Sequence, residues 1–309
     1  MHCVVDWCLR LCKLIHQCGV CTENERDKHV EAFVLRQLNM KVLGEGEYGR
    51  VRLIKLHGKK YALKESELGV FPDNIEVVMA CLREQAMNCE HKYIIKRYWS
   101  RFWKCKFQLC MEVGVPVEQA PGHRIMHDIG QALCFMHSKG FLHRDVKPGN
   151  IVRVGNVFKL IDFGLSRKTE GTVRMSGYMW SRWFRPPELL RLKDFEKHEY
   201  DGRSDMWSLG LTAFFIQNGF PLFHGSAEQI LAQYSEFHAT GILSHLICEY
   251  EDRWTAKEMF ESNDIEIIDG TMSDVEERTG NVADFVQCLL EGREEACVNY
   301  SHEKIYCDL

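Results

Sequence analysis

The segment from His143 to Gly164 constrains this chain more than any other part of its sequence. It reads HRDVKPGN, then a short run rich in β-branched residues, then IDFG. Asp145 can orient a hydroxyl group and accept its proton, and Lys147 can neutralise a migrating phosphate. Asn150 and Asp162 supply oxygen atoms of the kind that Mg²⁺ binds in proteins. Either short motif alone arises often by chance, so the interpretation depends on what precedes them.

Two upstream features complete the pattern. The segment LGEGEYGRV contains three glycines in GxGxxG spacing, and strand-like alternation surrounds it from about Leu38. Taken alone, such a segment is also typical of an ordinary glycine-rich hairpin turn. The sequence YALK then places Lys64 on the next predicted strand. In this order, the glycine-rich segment, the lysine, HRD and DFG match the signature set of one enzyme family.

The chain therefore resembles a eukaryotic protein kinase, from about Leu38 to at least Gly219. The resemblance implies an α+β, bilobal protein-kinase fold with a small β-rich N-lobe and a mainly helical C-lobe. It also implies transfer of the γ-phosphoryl group of ATP to serine or threonine hydroxyls of protein substrates, with Mg²⁺. The expected divisions are a Cys-rich extension and linker at 1–36, a kinase domain at 37–300 (N-lobe 37–113, C-lobe 117–300) and a tail at 301–309.

The resemblance assigns roles to individual residues. Asp145, Lys147 and Asn150 become the catalytic residues, and Asn150 holds the metal ion together with Asp162. Backbone groups of the glycine-rich loop cover the phosphates of ATP, and Lys64 contacts the α- and β-phosphates. The residues expected to bind the nucleotide are Leu43, Gly44, Gly46, Gly49, Val51, Ala62, Lys64, Glu84, Met111, Glu112, Gly114 and Val152.

A helix is expected to carry the partner of the lysine. Its start is predicted in the segment PDNIE, with Asp73 as the cap, and it continues through VVMACLREQAM. Glu84 lies four and seven residues after Ala80 and Val77, so it shares a helix face with small apolar side chains. This placement favours an inward glutamate that pairs with Lys64 over a solvated surface glutamate.

The segment from Asp162 to Glu188 ends WFRPPE and indicates a serine/threonine kinase. Ser181 matches a small hydroxyl residue typical of that class, and Arg185 resembles the arginine of the cyclin-dependent and MAP kinase branch. Ser176 falls where that branch carries an activating phosphorylation site. The arginines expected to contact its phosphate are Arg83, Arg144 and Arg167. The alternative is that these arginines pair with nearby carboxylates and that the kinase is constitutively active.

The second half of the expected domain is mainly helical. The segment SDMWSLGLTAFFI is apolar almost all round, as in a buried helix. Asp205 at its start is expected to brace the backbone of HRDVKPGN (residues 143–150), which is called the catalytic loop below. The family has a hinge between its lobes, which by the resemblance lies at about Glu112 to Pro116. The helix that usually follows this hinge is expected to be curtailed. A stripe at helical spacing is interpreted as core: Ile125, Ile129, Leu133 and Met136. The arginine that pairs with Glu188 is expected to be Arg278 or Arg293, and the sequence does not choose between them.

Composition argues against several other classes of protein. The net charge of −5 and the pI near 6.3 are untypical of a nucleic-acid-binding protein. No apolar run approaches the roughly 20 residues of a membrane span, and charged residues interrupt the N-terminal apolar stretch, unlike a secretory signal. The fourteen cysteines favour thiols over a disulfide framework. We expect an intracellular protein of the cytoplasm or nucleus, with a virus-encoded protein acting in its host cell as one option.

The first 21 residues hold five cysteines among apolar residues at helical spacing. An amphipathic helix packed on the small lobe, or a loosely ordered extension, is favoured. Zinc binding by His16, Cys18 and Cys21 is the alternative, but a single CxxC without a second pair is weak support. Acylation near a membrane is the other option.

Two alternatives to an active protein kinase follow from the same motifs. A pseudokinase that acts as a binding module is disfavoured because every group of the catalytic minimum is present. A small-molecule kinase is disfavoured by WFRPPE, which in protein kinases helps to form the platform for the substrate peptide. The expected partners are protein substrates and ATP, with a regulatory subunit or upstream kinase as a further option. Neither nucleic acid nor a transmembrane segment is expected.

Overall fold

The computed structural model describes most of the chain between residues 41 and 262. The described residues are 41–46, 49–56, 58–68, 75–87, 90–103, 106–169, 173–175, 182–192 and 198–262. The chain divides into two compact units: Met1–Asn88 with Lys96–Val113, and Cys89–Ile95 with Gly114–Leu309. We call them the first and the second unit. Several predictions fall outside the described residues: the N-terminal helix and linker, the Asp73 cap, Ser176, Ser181, Arg278 and Arg293.

The first unit contains an antiparallel sheet and one described helix. Its five strands are β1 (Val42–Gly46), β2 (Gly49–Leu56), β3 (Lys59–Glu67), β4 (Arg97–Trp103) and β5 (Lys106–Met111). They pair in the order β1-β2-β3-β5-β4. The helix, α1, spans Ile75–Ala86. The strands predicted around the glycine-rich segment and the helix predicted after them are confirmed.

The middle strand β3 is buried on both of its faces. Successive side chains of a strand point to opposite faces of the sheet. Leu63 packs on one face in a buried cluster with Ile54 and Cys110. Its neighbours Ala62 and Lys64 therefore lie on the other face, and both are buried. The alternation of the strand thus separates the lysine from the apolar cluster beside it.

The strand β4 begins later than the sequence predicts. The segment KYIIKRYW is expected to be extended, yet the strand starts at Arg97 and a turn occupies its first residues. Ile94 and Ile95 are buried, and the Ile95 N–H donates to the Leu160 carbonyl at 3.0 Å. Both isoleucines belong to the second unit. Their β-branched side chains serve a core there, because packing overrides strand propensity.

The second unit is mainly helical. Its described helices are α2 (Gly122–Ser138), α3 (Pro187–Leu190), α4 (Arg203–Asn218), α5 (Ala227–Glu236), α6 (Leu243–Leu246) and α7 (Ala256–Glu261). The four apolar residues of the α2 stripe are buried, and α4 is buried almost all round, as predicted. Between Pro116 and Gly122 the chain forms no helix, so the curtailed segment is also confirmed.

Short strands of the second unit place the two motifs. The strands are β6 (Val115–Pro116), β7 (Phe141–Leu142), β8 (Ile151–Val154), β9 (Val157–Leu160), β10 (Arg167–Lys168), β11 (Val173–Met175) and β12 (His198–Tyr200). HRDVKPGN lies between β7 and β8, and DFG lies between β9 and β10. A β-rich first unit and a mainly helical second unit confirm the predicted α+β class. Within the described part of the chain, no helix is both long and apolar enough to cross a membrane.

Candidate active site

In the first unit, β3 and α1 bring a lysine and a glutamate together. The Lys64 Nζ atom lies 3.9 Å from a carboxylate oxygen of Glu84. Both residues are buried, with 8% and 3% of their surface exposed. A buried charge is costly unless it is paired, so each residue offsets the cost of burying the other. The pairing predicted from the helix face of Glu84 is confirmed.

The hairpin of the glycine-rich segment depends on one glycine in particular. Gly49 has a φ angle of 135°, and a Cβ atom there would lie 2.2 Å from the Glu65 carbonyl oxygen. Only glycine fits this position. Glu45 and Arg50 face each other across the hairpin and form an exposed ion pair at 2.6 Å. The hydrogen bond from Arg50 holds the pKa of Glu45 below its usual range.

Four other residues predicted to bind the nucleotide are divided between the two units, each of which holds two of them. In the first unit, Met111 ends β5 as a buried residue, and the Glu112 carboxylate accepts a hydrogen bond from the Lys96 N–H at 2.7 Å. In the second unit, a Cβ atom on Gly114 would lie 2.4 Å from a Val152 methyl group. The glycine is therefore required for this close approach. The roles of these residues toward a nucleotide stay predictions.

In the second unit, the catalytic loop holds three predicted side chains against one another. The Lys147 Nζ atom lies 3.1 Å from the Asp145 Oδ2 atom. The Asn150 amide donates to the same oxygen at 2.8 Å and to the Asp145 carbonyl at 2.7 Å. These contacts fix the orientation of the Asp145 carboxylate and place a positive charge beside it. A side chain held in this way is prepared to position a hydroxyl group and take its proton.

Asn150 and Asp162 fit the chemistry of a magnesium site. Because the Asn150 amide nitrogen is engaged by Asp145, the carbonyl oxygen of its side chain is the atom left to face a cation. The Asn150 backbone carbonyl accepts a hydrogen bond from the Ile161 N–H at 2.9 Å, which links it to the residue before Asp162. Asp162 has a φ angle of 61°. Such a strained backbone persists only where its surroundings hold it, and it clusters at functional sites.

Asp205 braces the catalytic loop from the start of α4, as predicted. Its two carboxylate oxygens accept hydrogen bonds from the His143 N–H at 2.9 Å and the Arg144 N–H at 2.8 Å. Arg144 has a φ angle of 68°, so its backbone is also strained. The two bonds satisfy backbone donors that would otherwise be buried without partners. The buried carboxylate thus holds the backbone immediately before Asp145.

The His143 ring connects the catalytic loop to the DFG segment as a neutral group. Its Nδ1 atom accepts from the Asp145 N–H at 3.2 Å, and its Nε2 atom lies 3.2 Å from the Ile161 carbonyl, to which it donates. The ring meets the Phe163 ring edge to face, with centroids 5.4 Å apart. Complete burial lowers the pKa of His143 and so favours the neutral imidazole.

His137 belongs to the same network, although no motif of the sequence marks it. Its Nε2 atom lies 2.9 Å from the Asp205 Oδ2 atom. Burial by itself would raise the pKa of Asp205, but the bond and the electrostatic effect of His137, together with the charge effect and backbone N–H of His143, hold that pKa below its usual range. Gly202 packs on the imidazole, since a Cβ atom there would lie 2.5 Å from its Nδ1 atom. Only the position of His137 at the end of the α2 stripe could have suggested an inward side chain.

The arginine that pairs with Glu188 is Arg253, so the expectation of Arg278 or Arg293 was wrong. The Arg253 Nη atoms donate to both carboxylate oxygens of Glu188, at 2.8 and 3.0 Å. Arg253 also donates to the Cys248 carbonyl at 2.8 Å and is fully buried. Arg253 comes 65 residues after Glu188, and no local spacing marks it as the partner.

The predicted regulatory arginines occupy three different environments. Arg83 is half-buried on α1, and Arg167 is exposed in β10. Arg144 is fully buried, and its Nε atom donates to the Leu165 carbonyl at 2.6 Å. Because Ser176 lies outside the described residues, the expected binding of its phosphate by these arginines stays a prediction.

The side chains described above indicate a class of protein. In the second unit, a fixed carboxylate with an adjacent lysine, and an amide and a carboxylate that suit a metal ion, fit the chemistry of phosphoryl transfer. The first unit holds a buried lysine–glutamate pair. Residues 38–294 match the family described as protein kinase domain. The chain belongs to this family. The resemblance inferred from the motifs is confirmed.

Named relatives point to one branch of the family. The chain is 28% identical over 204 residues to cyclin-dependent kinase F-4 of Oryza sativa subsp. japonica, an alignment that covers 61% of this chain and 43% of that protein. It is 29% identical over 210 residues to the serine/threonine-protein kinases ICK of Rattus norvegicus and MAK of Homo sapiens. Those alignments cover 62% of this chain and 32% and 33% of the two relatives. The chain thus spans less than half the length of these relatives.

Proposed function

We propose that the protein is an ATP-dependent protein kinase that phosphorylates serine and threonine hydroxyls of protein substrates. The observation that carries this proposal is the geometry around Asp145, whose carboxylate contacts both the Asn150 amide and the Lys147 ammonium group. In this role Asp145 orients the attacking hydroxyl and accepts its proton, while Lys147 offsets the charge that develops on the transferred phosphoryl group.

Different residues are proposed to contact the nucleotide and the metal ion. Lys64 would neutralise phosphate oxygens of ATP, and Glu84 keeps its ammonium group in place. Asn150 and Asp162 would hold Mg²⁺, which supplies positive charge to the phosphate oxygens when bound. The chain's own contribution is positioning, because phosphoryl transfer requires little covalent chemistry from the protein.

The acceptor of the phosphoryl group is proposed to be a protein because of residues 182–190, the segment that ends with α3. Ser208 on α4 donates to the Phe184 carbonyl at 2.8 Å, and Ser204 donates to Glu188 at 2.9 Å. Trp183 and Phe184, which belong to this segment, are buried. These contacts give residues 182–190 a rigid support on α4, as a platform for a substrate peptide requires. A binding module without activity is the second candidate, but no described catalytic group is missing or displaced.

An intracellular location, in the cytoplasm or nucleus, is part of the proposal. Its support is that Cys110, Cys134 and Cys248 are present as thiols. Thiols are typical of reducing compartments.

Phosphate transfer tests the proposal directly. Purified protein is incubated with γ-labelled ATP, Mg²⁺ and myelin basic protein or casein, and the labelled amino acids of the substrate are then identified. We expect Mg²⁺-dependent label on serine or threonine. If ATP binds without any transfer to protein, the binding module becomes the better account.

A further inference from the structure

Helix α3 is too short to hold its own place in the fold. It spans only Pro187–Leu190, a single turn, and isolated helices of that length are not stable in water. No side chain caps its N-terminus. Its position is therefore set by contacts with other elements. The Glu188–Arg253 pair is one such contact, at the beginning of the helix.

A second ion pair holds the other end of α3. Arg191, the C-cap residue, donates through Nη1 and Nη2 to the two carboxylate oxygens of Glu249, with both distances 2.8 Å. The side chains are 48% and 45% exposed. Exposed ion pairs usually contribute little, but a bidentate arginine–carboxylate fork is the geometry in which they do contribute. The hydrogen bond from Arg191 holds the pKa of Glu249 below its usual range.

Glu249 also lies near a third element. Its carboxylate is close enough to Tyr234 on α5 to act on that phenol electrostatically. Burial raises the pKa of Tyr234 to about 12, and the neighbouring Glu249 carboxylate adds to the shift. The Tyr234 ring meets the Trp207 ring on α4 edge to face, with centroids 5.0 Å apart. Glu249, in the loop that carries Arg253, thus contacts α3 through Arg191 and lies near α5.

We propose that Arg191 and Glu249 are positioning residues for the protein substrate. Together with the buried Glu188–Arg253 pair they clamp α3 at both ends, and α3 fixes the residues immediately before it. This inference rests on the proposed kinase function, in which residues 182–190 support the substrate peptide. Neither residue contacts the groups assigned to ATP. Loss of the clamp should therefore raise KM for the protein substrate and leave KM for ATP unchanged.

Charge reversal tests the clamp in the full-length protein. Initial rates are measured with myelin basic protein or casein, whichever the wild-type protein phosphorylates, with each substrate varied in turn. Arg191→Glu and Glu249→Arg should each raise KM for the protein substrate about fivefold, the upper range for a good exposed pair. KM for ATP should change by less than about twofold. The double variant Arg191→Glu/Glu249→Arg should recover most of the loss, because it restores the pair with opposite polarity.

Two control variants separate the clamp from general effects of charge. Lys257 and Glu261 form an exposed pair at 3.5 Å on α7, so Lys257→Glu and Glu261→Lys are matched reversals away from α3. They should leave both KM values unchanged. The neutral variants Arg191→Gln and Glu249→Gln should also raise KM for the protein substrate and leave KM for ATP unchanged. They replace the charge reversals in the test if a reversed protein does not fold.

The outcomes distinguish the clamp from the function on which it rests. Wild-type protein that phosphorylates no protein substrate refutes the kinase function and the clamp with it. Active wild-type protein whose single variants behave normally, or whose double variant is no better than the singles, refutes the clamp alone. An equal change in both KM values also refutes it, because the pair would then be merely structural.

Discussion

Asp205 shows how much of this site depends on single buried side chains. Three donors share its carboxylate, two from the catalytic-loop backbone and one from the His137 ring. The second nearby imidazole, His143, is neutral and directs its donor to Ile161. His137 is therefore the imidazole that bonds directly to the Asp205 carboxylate.

Replacement of His137 should slow catalysis without weakening nucleotide binding. His137→Phe removes the donor to Asp205 but keeps a ring of similar size beside Gly202. A hydrogen bond to a charged group is worth about 1.5–3 kcal/mol, so kcat should fall about tenfold or more. KM for ATP should stay within about twofold of the wild-type value. Steady-state kinetics measures both constants.

His137→Gln is the matched variant for this prediction. Its side-chain amide can place a donor close to the position of Nε2, so it should retain most of the activity. If His137→Phe is as active as wild-type protein, or if His137→Gln is as impaired as His137→Phe in a folded protein, the bond to Asp205 does not position the loop.

Residues within the motifs were predictable, whereas their distant partners were not. HRD, DFG and the glycine-rich segment are patterns of residue types at fixed local spacing. Asp145 and Lys64 could therefore be assigned from sequence. His137 and Arg253 lie 68 and 65 residues from the carboxylates that they contact. No periodicity within a helix or strand encodes such a pair. Only the folded chain brings them together.

At the scale of elements, the support of α3 illustrates how a short helix depends on its surroundings. Its N-terminal turn contributes Glu188, and the loop before α7 contributes Arg253. Both side chains are almost completely buried. Removing one partner of a buried pair leaves the other charge without compensation, which is far more costly than loss of the pair itself.

Arg253→Met should therefore destabilise the protein strongly. We expect the free energy of unfolding to fall by about 3–5 kcal/mol, as for other buried pairs broken on one side. Urea unfolding followed by tryptophan fluorescence measures the change. The double variant Arg253→Met/Glu188→Leu, which leaves no buried charge, should be less destabilised than Arg253→Met alone. A single variant as stable as the wild-type protein would rule out a structural role for the pair.

The segment between DFG and α3 carries the predicted regulatory site. We propose that phosphorylation of Ser176 increases activity, because a phosphate brings about −1.5 to −2 charges that arginines such as Arg167 can bind. Ser176→Ala should then reduce kcat for the protein substrate. Mass spectrometry of active protein should find phosphate on Ser176. Full activity of the alanine variant, with no phosphate between Thr169 and Ser181, would favour a constitutively active enzyme.

Elements with strong periodic patterns were predicted well, and those decided by packing were not. The apolar stripe of α2 and the all-round apolar character of α4 each imply burial directly. The beginning of β4 was missed because Ile94 and Ile95 look like strand residues but pack in the second unit. The length of α3 could not be predicted either, since its limits follow from contacts at Glu188 and Arg191.

At the scale of the whole molecule, one buried and two half-buried imidazoles set the response to acid. Burial lowers the pKa values of His91, His143 and His224, so the folded state binds their protons less readily than the unfolded state. The depressed pKa values of Asp205 and Glu249 act in a lower pH range, where free carboxyls titrate near about 4. The two groups of residues thus affect different pH windows.

The protein should lose stability as the pH falls below about 6.5, the unperturbed value for histidine. A lowered pKa in the folded state gives stability that is fully present above the unfolded pKa and decreases below it. Urea midpoints should therefore fall between pH 7.5 and pH 5.5. His224→Gln should show a smaller decrease than wild-type protein. A midpoint that is constant or rises over this range would contradict the account.

The kinetics of Asp145→Asn test the central claim most directly. The variant keeps the size of the side chain but cannot accept the proton of the attacking hydroxyl. Labelled ATP, Mg²⁺ and a protein substrate should give a rate at least about 10²-fold below wild type, since a transition-state group worth several kcal/mol is lost. The exposed Asp252→Asn control should be fully active. Near-normal transfer by rigorously purified, folded Asp145→Asn protein would contradict the proposed mechanism.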